Sequence, residues 1–241
     1  MIQLYGFGPA WGLPDCSHFV VKVDCYLRMV ELPYTHVPWQ SFHDLQNAPQ
    51  GKFPYIKDND KMIADSSSII EYLKATYGDK LGDHTLSPQH RAIAHSLRRM
   101  IEEGLYWVLL YLQWMEEAAW EAFQPEIFRH LPPAEQQAMP APFREVVRGY
   151  LHAQGIGRQA REEVYALGNA DLSALSAYLE EKPYFMGEQP TALDATAYAF
   201  LSRVLWVPYA SPLQKHAQSL PNLEAYCIRM RQRYYSAEHK Q

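Results

Sequence analysis

The stretch Gly51-Lys52-Phe53-Pro54-Tyr55-Ile56-Lys57-Asp58-Asn59-Asp60-Lys61-Met62-Ile63-Ala64-Asp65-Ser66-Ser67-Ser68-Ile69-Ile70-Glu71-Tyr72-Leu73 decides how this chain is read. Residues 53–56 and 62–64 are short apolar runs, and Asp58-Asn59-Asp60 between them predicts a hairpin turn. Pro54 lies inside the first run and has no N–H to give to a ladder. A cis Phe53-Pro54 bond would turn the chain there and leave the Phe53 backbone N–H and C=O free to bind an extended peptide; an edge proline in a trans bond is the alternative. Asp65-Ser66 then opens a helix that carries Ile69, Ile70, Leu73 and Tyr77 and closes at Gly78. Backbone N–H groups and the Ser66 hydroxyl at such a helix start suit a carboxylate, and Asp65 suits an amino group. Together they fit the two charged ends of an amino acid, with simple capping by Ser66 as the competing role.

Upstream, residues 2–7 form an apolar and aromatic run cut by Gly8-Pro9, which predicts a first strand. Phe19, Val20, Val23, Leu27 and Val30 follow at helical spacing, with Lys22, Asp24, Arg28 and Glu31 between them as the expected polar face. Residues 34–37 read as another strand. Downstream of Gly82 the texture changes: helical patterns run over 89–122, 143–167, 171–181, 191–207 and 220–234, and no further strand is convincing. The expected fold class is therefore α/β plus all-α, with an α/β domain over 1–80, a linker over 81–88 and a helical domain over 89–241. Residues 124–142, which hold Pro125, Pro132, Pro133, Pro140 and Pro142, read as an irregular excursion.

Composition narrows the class. A chain of 241 residues with 48% apolar and 20% charged residues can bury a sizeable core in two domains. The net charge of −5 comes with no basic stripe, so no nucleic-acid partner is expected. No apolar run approaches the ~20 residues of a membrane span and the start lacks signal-peptide character, so the expected location is cytoplasmic. Cys16, Cys25 and Cys227 form no CxxC pair and the ten histidines form no HExxH, which argues against a disulfide framework and against a metal. Gly6-Phe7-Gly8-Pro9-Ala10-Trp11-Gly12 follows a strand but fails as a dinucleotide loop, because its third glycine comes late and prolines interrupt the helix start.

Phe53-Pro54 followed by Asp65-Ser66 and an apolar helix resembles the glutathione site of the glutathione transferase superfamily. The resemblance implies a thioredoxin-like N-terminal domain, a helical-bundle C-terminal domain and glutathione as co-substrate. Phe53 beside cis-Pro54 would hold the cysteinyl backbone, and Asp65 and Ser66 the γ-glutamyl end. A second match, Gly187-Glu188-Gln189-Pro190-Thr191-Ala192-Leu193-Asp194, looks like the helix-start motif of the superfamily's second domain, with Thr191 and Asp194 as a capping box. Ser17-His18-Phe19 through Tyr26-Leu27-Arg28-Met29 leans towards the failed-axon-connections and metaxin-like branch, with His18 where that branch often has proline.

A transferase must favour the glutathione thiolate, because a thiol near pKa 8.5 is mostly protonated at neutral pH. Ser17, at the start of the first helix, resembles the activating serine of the family, and its hydroxyl could donate to the sulfur. Cys16 offers a different chemistry, a mixed disulfide with glutathione, as in a thiol transferase or reductase. By resemblance a small hydrophobic electrophile would sit between the domains, with Trp11 and the stripe Trp107, Tyr111 and Trp114 as candidate walls. The superfamily implies a homodimer. The alternative to conjugation is a binding or interaction protein without catalysis on the same fold.

Overall fold

The computed structural model describes residues 1–236; residues 237–241 of the helical region expected over 89–241 lie outside the described residues. Four strands, β1 (Ile2–Gly6), β2 (Tyr34–Pro38), β3 (Tyr55–Asp58) and β4 (Lys61–Ala64), form one sheet in the order β2-β1-β3-β4. β1 and β2 are parallel, while β1 with β3 and β3 with β4 are antiparallel. The strand expected over 53–56 begins at Tyr55 instead, where pairing with Ala64 starts, because Pro54 has no N–H to contribute. The Phe53-Pro54 bond is cis.

Helix α1 (His18–Met29) links β1 to β2, and the short α2 (Phe42–Asn47), with Asp44 closing a capping box on Ser41, precedes β3. α3 (Ser66–Tyr77) follows β4 and ends at Gly78, whose φ of +87° suits a residue without a side chain. α2 carries one buried residue, Leu45, too little apolar periodicity to be legible in sequence.

The polar face expected on α1 is not solvated: Lys22 and Asp24 are each 1% exposed. α1 lies between the sheet and the central helix of the second half, so its outer face is covered too, and both charges find partners there. Asp24 accepts from Arg28 and from the hydroxyls of Tyr34 and Tyr235. Lys22 belongs to the site described below.

Beyond the linker, which holds a 3-10 turn at Asp83–Thr85, the chain is helical. α4 (Pro88–Arg99) runs through a π-helical segment, Met100–Leu105, into α5 (Tyr106–Met115). The continuous pattern expected over 89–122 stops at Glu116, whose extended backbone separates α5 from α6 (Glu117–Ile127). The proline-rich stretch is more ordered than expected: Pro133 and Pro140 open α7 (Pro133–Ala138) and α8 (Pro140–Gln154), since a first helical residue needs no N–H. Gly155, at φ +118°, ends α8, so the single pattern over 143–167 divides, and its second part joins 171–181 as α9 (Arg161–Leu179).

α10 (Ala192–Trp206) is the central helix and is buried on nearly every side. It starts at the expected capping box. Asp194 accepts from the Thr191 N–H (2.8 Å), the Thr191 hydroxyl (3.0 Å), the Phe185 N–H (2.9 Å) and the Tyr226 hydroxyl (3.2 Å). α11 (Pro212–Gln218) and α12 (Pro221–Tyr235) complete the bundle. Among the described residues no helix is long and apolar enough to cross a membrane.

Candidate functional site

A cleft of about 720 Å³ opens between the sheet end of the molecule and the helices α5 and α8. Its lining brings together Cys16, Ser17, Phe53, Pro54, Asp65 and Ser66 from the first half with Trp107 and Trp114 from the second. Residues singled out far apart in the sequence therefore meet at one place.

The peptide-binding side is built by the ends of β3 and β4. Because ladder pairing starts at Tyr55, Phe53 lies just ahead of the sheet on the cleft wall, where an extended chain can lie alongside it. Asp65 adopts φ +70°, a costly value for a residue with a side chain, at the junction between β4 and α3. Its Oδ1 accepts from the Ser67 and Ser68 N–H groups at 3.0 and 2.9 Å, so Asp65, rather than Ser66, is the N-cap of α3. A carboxylate arriving here would meet Ser66 and the positive end of the helix, while two first-turn N–H groups are already committed to Asp65.

Beneath this corner lies a group that sequence reasoning missed. The Lys22 ammonium donates to Ser66 Oγ (3.0 Å), to Ser67 Oγ (2.9 Å) and to Glu102 Oε1 (2.5 Å). Arg98 adds a bond to Ser67 Oγ (2.8 Å) and one to Glu102 Oε2 (3.0 Å). Burial lowers the Lys22 pKa, and the Glu102 carboxylate opposes that shift. The Ser66 oxygen thus accepts from a buried cation and its proton is left for a ligand. The π-helical turn carries Glu102 into this network and onto the cleft lining. One sequence signal pointed here: a lysine set inside the run Val20-Val21-Lys22-Val23, where a solvated face is implausible.

The loop from Gly8 to Ser17 is a small folded structure. Ala10 and Leu13 exchange backbone bonds across Trp11 and Gly12, both at positive φ. Asp15, fully buried, closes the loop: its Oδ2 accepts from the Gly8 N–H (2.7 Å) and its Oδ1 from the Ser17 N–H (2.6 Å). Ser17 is the N-cap of α1, and its hydroxyl oxygen accepts from Val20 N–H at a long 3.4 Å. That weak bond engages the oxygen only, so the hydroxyl proton is available to an acceptor in the cleft. Cys16 is 3% exposed, and burial together with the Asp15 carboxylate pushes its thiol pKa well up, the opposite of what a nucleophilic cysteine needs.

Of the aromatic residues expected in the wall, Trp107 and Trp114 line the cleft, joined by Leu110 and Phe123, but Trp11 and Tyr111 do not. Positions 107, 110 and 114 share one side of α5, whereas Tyr111 turns towards Glu116 and Arg161. Trp11, at the tip of the loop hairpin, lies behind Phe123 (ring centroids 6.0 Å apart) and covers the Arg203 guanidinium at 4.6 Å.

Residues 18–119 match the family described as the glutathione S-transferase N-terminal domain, and residues 168–230 the glutathione S-transferase C-terminal domain. Isoprene-epoxide–glutathione S-transferase of Rhodococcus sp. (strain AD45) is 37% identical over 238 residues, covering 97% of this chain and 99% of that protein. Failed axon connections of Drosophila melanogaster is 29% identical over 98% of this chain and 58% of its own length, and metaxin-1 of Mus musculus 26% identical over 97% and 75%. In fold, the chain is similar to the beta-etherase LigF from Sphingobium sp. strain SYK-6 (TM-score 0.66, 17% identity, 95% of this chain and 94% of that one). It is also similar to a glutathione S-transferase of Ceriporiopsis subvermispora in complex with glutathione (TM-score 0.62, 21% identity, 93% and 97%). Matches to both the N-terminal and the C-terminal domain of the family, and a relative 37% identical along nearly its whole length, establish that this chain belongs to the glutathione transferase superfamily.

Proposed function

We infer that the protein conjugates glutathione to a small apolar electrophile, and that the electrophile is an epoxide. The observation that carries this reading is the convergence on one cleft of Ser17, Phe53-Pro54 and Asp65-Ser66 with an apolar wall of Trp107, Leu110 and Trp114. Phe53 would hold the cysteinyl backbone of glutathione as an added strand, and Ser66, polarised by Lys22, the γ-glutamyl carboxylate, with Asp65 receiving the amino group. Ser17 at the N-terminus of α1 would then donate to the sulfur and favour the thiolate. The epoxide comes from the isoprene-epoxide transferase, to which the chain is similar throughout.

A second reading, a glutathione-binding protein without turnover, draws on the likeness to Failed axon connections and the metaxins, relatives not named for an enzymatic activity. Both readings require glutathione to bind. Glutathione at about 100 times its dissociation constant should stabilise the protein by about 2.7 kcal/mol in a thermal-shift titration. Ser66→Ala should weaken that binding about tenfold, the loss of one charge-assisted hydrogen bond. An unchanged affinity in the variant would remove Ser66 from the site, and an unstabilised wild-type protein would remove glutathione altogether.

A further inference from the structure

A face of α8 extends the apolar wall of the cleft outwards. Phe143, Val147 and Tyr150 follow one another at helical spacing with Val146 beside them, and all four line the cleft. They differ in depth: Val147 is 6% exposed, whereas Val146 and Tyr150 are 47% and 55% exposed. Phe143 joins this face to the α5 wall, its ring centroid 5.4 Å from that of Trp114. One apolar surface therefore runs from buried Trp114 to exposed Tyr150 at the mouth.

The helix that presents this face is anchored by Arg144. Its Nε donates to the Trp114 carbonyl (2.9 Å), and its terminal nitrogens donate to the two Glu117 carboxylate oxygens (3.3 and 2.9 Å). Its guanidinium also covers the Trp120 ring at 4.7 Å. These contacts tie α8 to the end of α5 and the start of α6, so the α8 face keeps its place beside Trp114 without a ligand. Single apolar side chains at a surface are ordinary, but two exposed ones a turn apart and continuous with a cleft form a contact surface. The conjugation reading sets the epoxide against Trp107, Leu110 and Trp114 and assigns nothing to α8.

Resting on the conjugation reading above, we propose that Tyr150, with Val146 beside it, is a specificity-determining residue that packs on an aryl group of the electrophile, so that the preferred substrates are epoxides carrying an aryl ring on a short linker. The epoxide lies at the α5 wall, and its linker follows the Trp114–Phe143 contact out to α8. The occupant is aromatic because the face is: Phe143 and Tyr150 offer ring faces and edges, and ring pairs contribute beyond the area they bury. Val146 adds an aliphatic contact next to Tyr150. This ring sits away from the reacting carbon and is held equally in the ground and transition states, so it lowers KM and leaves kcat nearly unchanged.

The test compares wild-type protein with the double variant Val146→Ser, Tyr150→Ser, using saturating glutathione with a terminal epoxide that carries a phenoxymethyl group and, separately, with one that carries a methyl group. The readout is the ratio of kcat/KM for the aryl over the methyl epoxide, with circular dichroism establishing that the variant is folded and light scattering giving its mass. Loss of both contacts should lower that ratio about 10-fold, chiefly through KM for the aryl epoxide, while Tyr150→Phe, which keeps the ring, should stay within about twofold of wild type. A folded double variant whose ratio falls by less than about threefold would overturn the proposal while leaving the conjugation reading intact; a lowered mass alongside it would assign the face to contact between copies of this chain. An equal loss in Tyr150→Phe would assign the effect to the hydroxyl and overturn the proposal as well. A wild-type protein that conjugates neither epoxide would overturn both.

Discussion

Replacing Asp194 by Ala should lower the midpoint of thermal unfolding by about 10 °C. The carboxylate is fully buried and takes bonds from two backbone N–H groups, those of Phe185 and Thr191, and from the hydroxyls of Thr191 and Tyr226. Burial raises its pKa to about 6 despite these donors, so it is ionised at neutral pH and each bond to it is charge-assisted. Removing it strands the buried donors of Phe185 and Thr191, while the Tyr226 hydroxyl keeps the Asp194 backbone carbonyl (3.0 Å) as acceptor, for a cost of about 3–5 kcal/mol. In a chain of this size each kcal/mol moves the midpoint by about 2–4 °C. Asp194→Asn keeps one acceptor oxygen but sets an amide N–H₂ against the other donors, so it should recover only part of the loss. A scan by differential calorimetry checks both variants; a shift of about 2 °C or less in the Ala variant would mean that other groups satisfy those donors.

Ser17→Ala should lower kcat/KM for conjugation about 100-fold, equivalent to about 2.7 kcal/mol of transition-state stabilisation. The hydroxyl is only weakly engaged by Val20, so its proton can serve the sulfur, and the loop that carries it is fixed by Asp15 through Gly8 and Ser17. Glutathione affinity should change little, because on the proposed reading Phe53, Asp65 and Ser66 would hold the rest of the tripeptide. The pH profile should shift upward by about one unit or more, since a thiolate that loses a donor is harder to form. Cys16→Ala should leave the rate nearly intact, because that thiol is buried and its pKa is raised by burial and Asp15. Steady-state kinetics on both variants decide between them: a Cys16-dependent rate that ignores Ser17 would reverse the assignment.

Much of this architecture was legible because its signals are local. The hairpin at Asp58-Asn59-Asp60, the Asp65-Ser66 helix start and the Thr191/Asp194 box all combine neighbouring residues whose backbone needs are fixed by chemistry, and each is found in place. Prolines at 133 and 140 misled because proline breaks a helix interior yet opens a helix well, and the sequence alone did not distinguish the two positions. The buried charges were the larger omission. Lys22 and Asp24 sit on a helix with an apparent polar face, and only the docking of α10 over that face, with partners as distant as Glu102 and Tyr235, turns them inward. Resemblance and helical spacing point to Trp11 and Tyr111 as wall residues, but a rotation of a few tens of degrees along α5 separates Tyr111 from the cleft, and Trp11 packs over Arg203 behind Phe123.

The most direct measurement is adduct formation by the wild-type protein, with glutathione and a small terminal epoxide mixed at neutral pH and the thioether product followed by mass spectrometry. Product should accumulate in proportion to protein concentration, at a rate well above the uncatalysed reaction and saturable in both substrates. A protein stabilised by glutathione that forms no adduct above the uncatalysed rate would contradict catalysis and leave a binding protein on the transferase fold.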